Sequence, residues 1–170
     1  MSVFSAKLDE LIQTAELAVS ANVIDLAGAL CAGRPNRAFA VGSGGSAVAA
    51  EYLAVCRSTL QAASTLVCTP LDLVLSGEDL TRAEVWLFSA RGDNPDILAA
   101  LRAAVARRAR AVHILTANEY GRLPRQASAY GNVYLHVVPV ADPKDGFLAT
   151  HSLVSTMIAL LRAANRCAAA

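Results

Sequence analysis

Aromatic residues make up only 5% of this 170-residue chain and charged residues only 17%, with a formal net charge of +1. A nucleic-acid surface needs clustered Lys and Arg, commonly interleaved with aromatics that stack on bases. The densest basic group, Arg102, Arg107, Arg108 and Arg110, has no aromatic within it, so it reads as a solvated helix face and no nucleic-acid partner is expected. No apolar run approaches the ~18 residues of a membrane span, and no basic stretch followed by a short apolar core opens the chain as a secretory signal does. A membrane partner is therefore not expected either. Cysteines are few and scattered, at Cys31, Cys56, Cys68 and Cys167, without C-x-x-C spacing, and histidines are only three. That pattern suggests neither a zinc site nor a disulfide framework, and all four are expected to be thiols in a reducing cytoplasm. Neither a metal nor a cofactor is implied. Cys167-Ala168-Ala169-Ala170 has the form of a prenylation box, but no polybasic segment precedes it to supply the second membrane signal.

What the chain has in quantity is small apolar residues, mostly alanine, within a hydrophobic fraction of 55%. Disorder does not fit that composition. A chain of this length hides roughly 70% of its unfolded surface on folding, so one domain over residues 1–170 is expected. Residues 2–31 repeat apolar positions at the helical period, with a break at Ser20 to Asn22, making a helical segment over 1–33 before a breaker cluster at Gly33-Arg34-Pro35-Asn36. An α/β core follows over 37–166. Short apolar runs at 38–41, 64–69, 85–88, 112–115 and 133–140 read as strands, and their continuous hydrophobicity predicts cover on both faces of a parallel sheet. Between them lie a helix from Ser46, capped by that serine, a helix opened by Asn94-Pro95-Asp96, and a helix after the turn-rich stretch at Glu119 to Pro124. The closing segment, 148–166, with a cap at Thr150, is apolar on every side and so is expected to be buried, partly by a second copy of the subunit.

Two strand-to-helix turns carry the chemistry. Gly42-Ser43-Gly44-Gly45-Ser46 follows the first strand and Ser89-Ala90-Arg91-Gly92-Asp93-Asn94 follows the third. Ligands of an open parallel sheet bind beyond the carboxyl ends of its strands, where helix N-terminal amides and the helix dipole favour an anion. Two such loops imply one shared pocket, although small hydroxylated residues also cap helices and shape turns wherever they occur. The first loop also fits a G-x-G-x-x-A dinucleotide fingerprint. A nicotinamide site wants an acid at the end of the second strand, where Thr69-Pro70 stands instead, with Asp72 beyond it.

Taken together, Ala40-Val41-Gly42-Ser43-Gly44-Gly45-Ser46, Leu87-Phe88-Ser89-Ala90-Arg91-Gly92-Asp93-Asn94-Pro95-Asp96 and the apolar helix after Lys144-Asp145-Gly146-Phe147 resemble the sugar isomerase (SIS) domain, over about residues 37–161. The resemblance implies a doubly wound three-layer α/β sandwich with a mainly parallel five-stranded sheet in flavodoxin-like order, and terminal helices packing at a dimer contact. It also implies a phosphorylated sugar as ligand, bound by an isomerase or by a subunit that only senses, with a homodimer or a second such domain completing the site. On that resemblance the phosphate is held by Gly42, Ser43, Gly44, Gly45 and Ser46 with Ser89, Ala90, Arg91, Gly92, Asp93 and Asn94, and Lys144 lies in a loop over the pocket. This chain departs from the family's serine-rich second turn, placing Arg91 and Asn94 where hydroxyls are usual. Arg91 either replaces those donors with a charge-assisted fork or turns outward to pair with Asp93. Moving a carbonyl between neighbouring sugar carbons needs a proton-transferring group, for which His151 and Glu51 are the candidates, each with a plain reading as a helix residue. His113 and His136 fall inside strands and read as packed residues.

Overall fold

The structure, a computed structural model, describes residues 3–142 and 150–170. Helices α1 (Val3–Ser20) and α2 (Ile24–Gly33) lead into strand β1 (Arg37–Val41), after which α3 (Gly45–Thr59), β2 (Thr65–Cys68), α4 (Pro70–Leu75), β3 (Ala83–Phe88), α5 (Pro95–Ala106), β4 (Ala111–Thr116), α6 (Arg122–Ala127), β5 (Val133–Val137) and α7 (Thr150–Ala168) follow. The five strands pair in parallel in the order β2-β1-β3-β4-β5. This is the flavodoxin-like order, and it places the topological switch between β1 and β3.

Alternation along each strand divides the core in two. Ala38, Ala40, Trp86, Phe88 and Leu115 point into a layer filled by α2, α3 and α7, whereas Phe39, Val41, Val85, Leu87, Val112 and Ile114 point into a layer filled by α4, α5 and α6. The alanines of β1 and of α3, at Ala49 and Ala50, let that helix lie close on the sheet. Helix α1 sits outside this layer, against α7. No single helix among the described residues is long and apolar enough to cross a membrane.

Several expectations need correction. Cys31 and Cys167 form a disulfide, with Cα atoms 5.5 Å apart, joining the end of α2 to the end of α7, so only Cys56 and Cys68 are free thiols. Helix α3 starts at Gly45 behind Gly44, without a side-chain cap, so Ser46 does not cap it. The fifth strand ends at Val137, just before Pro139, which has no amide to continue the ladder. Cover on both faces fails at the two edge strands, at β2, where Leu66 is exposed, and at β5, where Tyr134, Leu135 and Val137 are exposed. Within one chain, helix α7 has Leu161 exposed and Val154, Met157 and Ile158 half-buried, which leaves open the part of its burial expected from a second copy. Short α4 was not anticipated. It is fixed by a capping box in which the Thr69 hydroxyl accepts from the Asp72 amide while the Asp72 carboxylate accepts from the Thr69 amide, with Pro70 in the first helical position.

Candidate functional site

Register brings the two glycine-marked turns together. Val41 pairs with Leu87 across β1 and β3, so the loop after Val41 and the loop after Phe88 leave the sheet side by side at the switch point. In the first loop, a side chain at Gly42 would run into the backbone of Ser46, so only glycine lets the first turn of α3 fold back over the end of β1. Gly44 has φ 57° and ψ −131°, a conformation that side-chain-bearing residues avoid. The result is a tight turn in which the Ser46 amide donates to the Ser43 carbonyl and the Ala47 amide to the Gly44 carbonyl. With no side-chain cap and with Ser43, Gly44 and Gly45 exposed, the positive end of α3 faces outward.

The second loop is built differently, because its polar groups hold protein. The Asn94 side chain caps α5, accepting from the amides of Asp96 and Ile97. Asp93 accepts from the Arg122 amide at 2.8 Å, and the Arg91 carbonyl accepts from Asn118 Nδ2 at 2.9 Å. The Gly92 amide donates to Ser89 Oγ, while the Gly92 carbonyl accepts from the Leu123 amide. Ala90 offers its carbonyl to the Ala117 amide and to Thr116 Oγ1. The loop is thus laced to the β4–α6 connection. Ser89 is buried and Arg91 is exposed.

Both loops line one cleft. Gly45 and Ser46 come from the first, Ser89 and Ala90 from the second, Thr116 from the end of β4, and Ser152 and Thr156 from α7. The cleft's volume is about 20 Å³, roughly the room one water needs. Among the described residues that line it, none has an ionisable side chain. Its chemistry is that of hydroxyls, amides and a helix dipole. Ser152, Thr156 and Thr116 were missed by sequence reasoning, although Ser152 and Thr156 stand four apart, the spacing that puts two hydroxyls on one helix face.

The candidate proton carriers lie elsewhere. His151 is buried, and its Nδ1 lies 2.8 Å from Thr14 Oγ1 of α1, so its ring is held in the α1–α7 contact and does not line the cleft. Glu51 is exposed on α3 and also off the lining. Lys144, with Asp145, Gly146 and Phe147, lies outside the described residues.

Buried ionisable groups lie elsewhere: an ion pair toward the amino ends of β2 and β3, and two histidines on β4 and β5. Arg57 is 1% exposed, donating from Nε to Thr65 Oγ1 and from Nη2 to the carbonyls of Asn36 and Gly33. Its Nη1 stands 3.8 Å from Glu84 Oε2, and Glu84 also accepts from Asn36 Nδ2 and Trp86 Nε1. Burial pushes the Arg57 guanidinium below its usual pKa, with the Glu84 charge opposing that shift. His113 Nδ1 and His136 Nε2 are 3.2 Å apart on β4 and β5, as packed strand residues should be. Burial, then His136 and Arg57, lowers the His113 pKa to about 3, while burial, opposed by Asp25, lowers that of His136 to about 4.

No family model matches the chain, and no curated protein sequence does. Solved structures do. The tagatose-6-phosphate ketose/aldose isomerase of Escherichia coli superposes with a TM-score of 0.74 at 20% identity, over 91% of this chain and 46% of the enzyme. A Listeria monocytogenes protein described as a candidate sugar-phosphate isomerase gives a TM-score of 0.69 at 19% identity, over 99% of this chain and 92% of that one. The Vibrio vulnificus NanR protein, complexed with ManNAc-6P, gives 0.63 at 16% identity, over 94% and 59%. The chain spans about half the length of the tagatose-phosphate enzyme but nearly all of the Listeria protein. Its fold is that of the phosphosugar isomerase structures, in agreement with the resemblance to the sugar isomerase domain.

Proposed function

We propose that this chain binds a phosphorylated sugar, with the phosphate at the mouth of the cleft between the two loops. The observation that carries the reading is that Gly45 and Ser46 share one lining with Ser89 and Ala90, beneath an α3 N-terminus that no side chain caps. The anion rests against the exposed turn at Ser43 to Gly45 and the Ser46 hydroxyl, and the sugar extends outward. A dinucleotide is the weaker reading, because the acid nearest the end of β2, Asp72, is engaged with Thr69 in the cap of α4.

Two uses of such a site compete. Isomerisation needs a base and an acid at neighbouring carbons. The described lining supplies neither, which favours recognition without turnover, in a sensing or scaffold subunit. Isomerase action requires His151 to leave Thr14, Glu51 to turn inward, or groups from outside the described residues.

A thermal-shift series with tagatose 6-phosphate, ManNAc-6P and inorganic phosphate tests binding. A ligand at about a hundred times its Kd adds about 2.7 kcal/mol of stability, so a sugar phosphate should raise the melting temperature by several degrees. No rise with any sugar phosphate at millimolar concentration overturns the reading. Solvent-deuterium incorporation at sugar carbon 1 or 2 separates the two uses. Exchange that His151→Ala abolishes would establish the isomerase, and binding without exchange would establish the sensor.

A further inference from the structure

A groove of about 960 Å³ lies between helix α2 and the edge strand β5, within the range of small-molecule pockets, about 300–1,000 Å³. It opens because α3 packs over β2, β1 and β3 and α7 packs against β4, which leaves β5 beyond their cover. Its two walls differ. Gly28, Ala29 and Ala32 make the α2 wall flat, and a Cβ on Gly28 would meet nothing within 4 Å. The sheet wall is made of rings. Trp86, His113 and Tyr134 stand opposite one another on β3, β4 and β5, with Trp86 and His113 centroids 4.1 Å apart, His113 and Tyr134 centroids 5.3 Å apart, and planes within 25° and 21°. His136 keeps the same orientation, 10° from the Trp86 plane. Trp86 and His113 are buried, whereas Tyr134 is exposed and His136 half-buried, so these two carry the stack into the groove. Burial lowers the pKa of His113 to about 3 and that of His136 to about 4, so both are uncharged at neutral pH and offer plain ring faces. A flat wall opposite stacked rings makes a slot for a planar group.

The charged groups fall at the groove's two ends. Glu84 pairs with Ala111, the residue after Arg110, so an acid and a base stand together at the end nearest Asn36. Glu84 is 4% exposed, with one oxygen accepting from Asn36 Nδ2, the other from Trp86 Nε1, and Arg57 as its countercharge. Each of those oxygens has a second lone pair to offer. Asp25, in the first turn of α2, stands at the other end, where its charge acts on His136. From Asp25 to Ala32 the helix rises about 10 Å, a span that one nucleoside covers. We propose that this groove binds a purine nucleoside of the guanosine type, with the base in the slot between α2 and the rings and the ribose toward Asp25. Guanine presents donors and acceptors on adjoining edges. Its ring N–H and 2-amino group donate to Glu84, while O6 and N7 accept from the Arg110 guanidinium, the pairing by which arginine reads guanine in DNA. Adenine mismatches both, with an amine where Arg110 donates and an acceptor nitrogen where Glu84 accepts. Stacking on Tyr134 and His136 favours any base, so the two charged side chains make the choice. Asp25 accepts from ribose hydroxyls, as acids do in dinucleotide sites, and repels a phosphate at that end. The groove shares no lining residue with the cleft, and a nucleoside carries no phosphate, so this inference and the phosphosugar reading stand or fall separately.

Calorimetric titration of the whole chain with guanosine tests it. Guanosine is expected to bind with a submillimolar Kd and adenosine roughly tenfold more weakly, the discrimination of one bidentate pair. Arg110→Ala is expected to weaken guanosine roughly tenfold and to remove its lead over adenosine. Gly28→Leu puts a side chain into the slot and is expected to abolish binding. Leucine suits a helix better than glycine, so that loss is not one of folding, and circular dichroism checks the point. Saturating tagatose 6-phosphate is expected to leave guanosine affinity unchanged. No binding at millimolar guanosine, equal binding of adenosine, an affinity unmoved by Arg110→Ala, binding that survives Gly28→Leu, or displacement by tagatose 6-phosphate overturns the proposal.

Discussion

The two ends of the same strands carry opposite kinds of polarity. At the carboxyl ends, the cleft between the loops has hydroxyls and amides but no ionisable side chain among the described residues, and its helix terminus is uncapped. Toward the amino ends, the buried Arg57 and Glu84 meet each other and the half-buried Asn36, while farther along the sheet His113 and His136 meet each other. Shifted pKa values commonly mark functional sites, and here those of Arg57, His113 and His136 lie away from the cleft proposed to bind the phosphosugar. What separates the two regions is charge: the amino end holds a buried ion pair in which Arg57 Nη1 has no hydrogen-bond partner and stands 3.8 Å from Glu84, and the cleft holds none. The amino-end network joins α2, α3, β2 and β3 through Gly33, Arg57, Thr65 and Glu84, whereas the carboxyl-end turn leaves its partial charge facing outward.

The largest expected effect comes from breaking the buried ion pair. Arg57→Met leaves the Glu84 carboxylate buried without its countercharge, and removing one partner of a buried pair costs about 3–5 kcal/mol. In a chain of this size that lowers the melting temperature by roughly 6–20 °C, while the ligand-induced shift persists. An unchanged melting curve would erase the contrast. The histidines give the next effect, with a definite sign. In the folded chain both pKa values are depressed, to about 3 and about 4, against about 6.5 in the unfolded chain. Their stabilising contribution is complete above the unfolded value and is lost as pH falls from there toward the folded values. Melting temperatures should therefore decline from about pH 6.5 down to the folded values of about 4 and about 3, and a His113→Gln, His136→Gln double variant should flatten the decline.

How far this contrast is legible in the sequence depends on the range of the signals. Both loops and the Asn94-Pro95 cap are local patterns, and the structure contains the cap as expected. The box over Thr69 to Asp72 is local too, but six residues are too few to show a helical period, so α4 went unseen. Other properties depend on what lies across the fold. Cys31 and Cys167 are 136 residues apart, and their pairing follows from where α2 and α7 end. The apolar run of β5 resembles that of a central strand, and only strand order reveals it as an edge. His151 is placed by the sequence near the start of the last helix, but the rotation of α7 against α1 turns its ring toward Thr14 and turns Ser152 and Thr156 to the cleft.

At the open end, substitution should change affinity more than stability. Ser46 lines the cleft but caps nothing, so Ser46→Ala should leave the melting curve of the free protein nearly unmoved. A hydrogen bond to a charged group contributes about 1.5–3 kcal/mol, so phosphosugar affinity should fall by roughly ten- to a hundredfold in calorimetry. The reverse outcome, a lower melting temperature with affinity intact, would place Ser46 among structural residues.

Asn94 gives the smallest and most discriminating effect, because it belongs to the second loop yet its side chain serves α5. Losing such a cap costs about 1 kcal/mol, or roughly 2–4 °C in a chain this long. Asn94→Ala should show that loss with phosphosugar affinity unchanged, and Asn94→Asp should restore stability, since a carboxylate caps as well as an amide and suits the positive helix end. A phosphate in contact with residue 94 reverses the second result, because Asn94→Asp would then repel the ligand while keeping the fold. Comparing the two variants thus decides whether the second loop meets the anion through this side chain or only through Ser89 and the backbone around it.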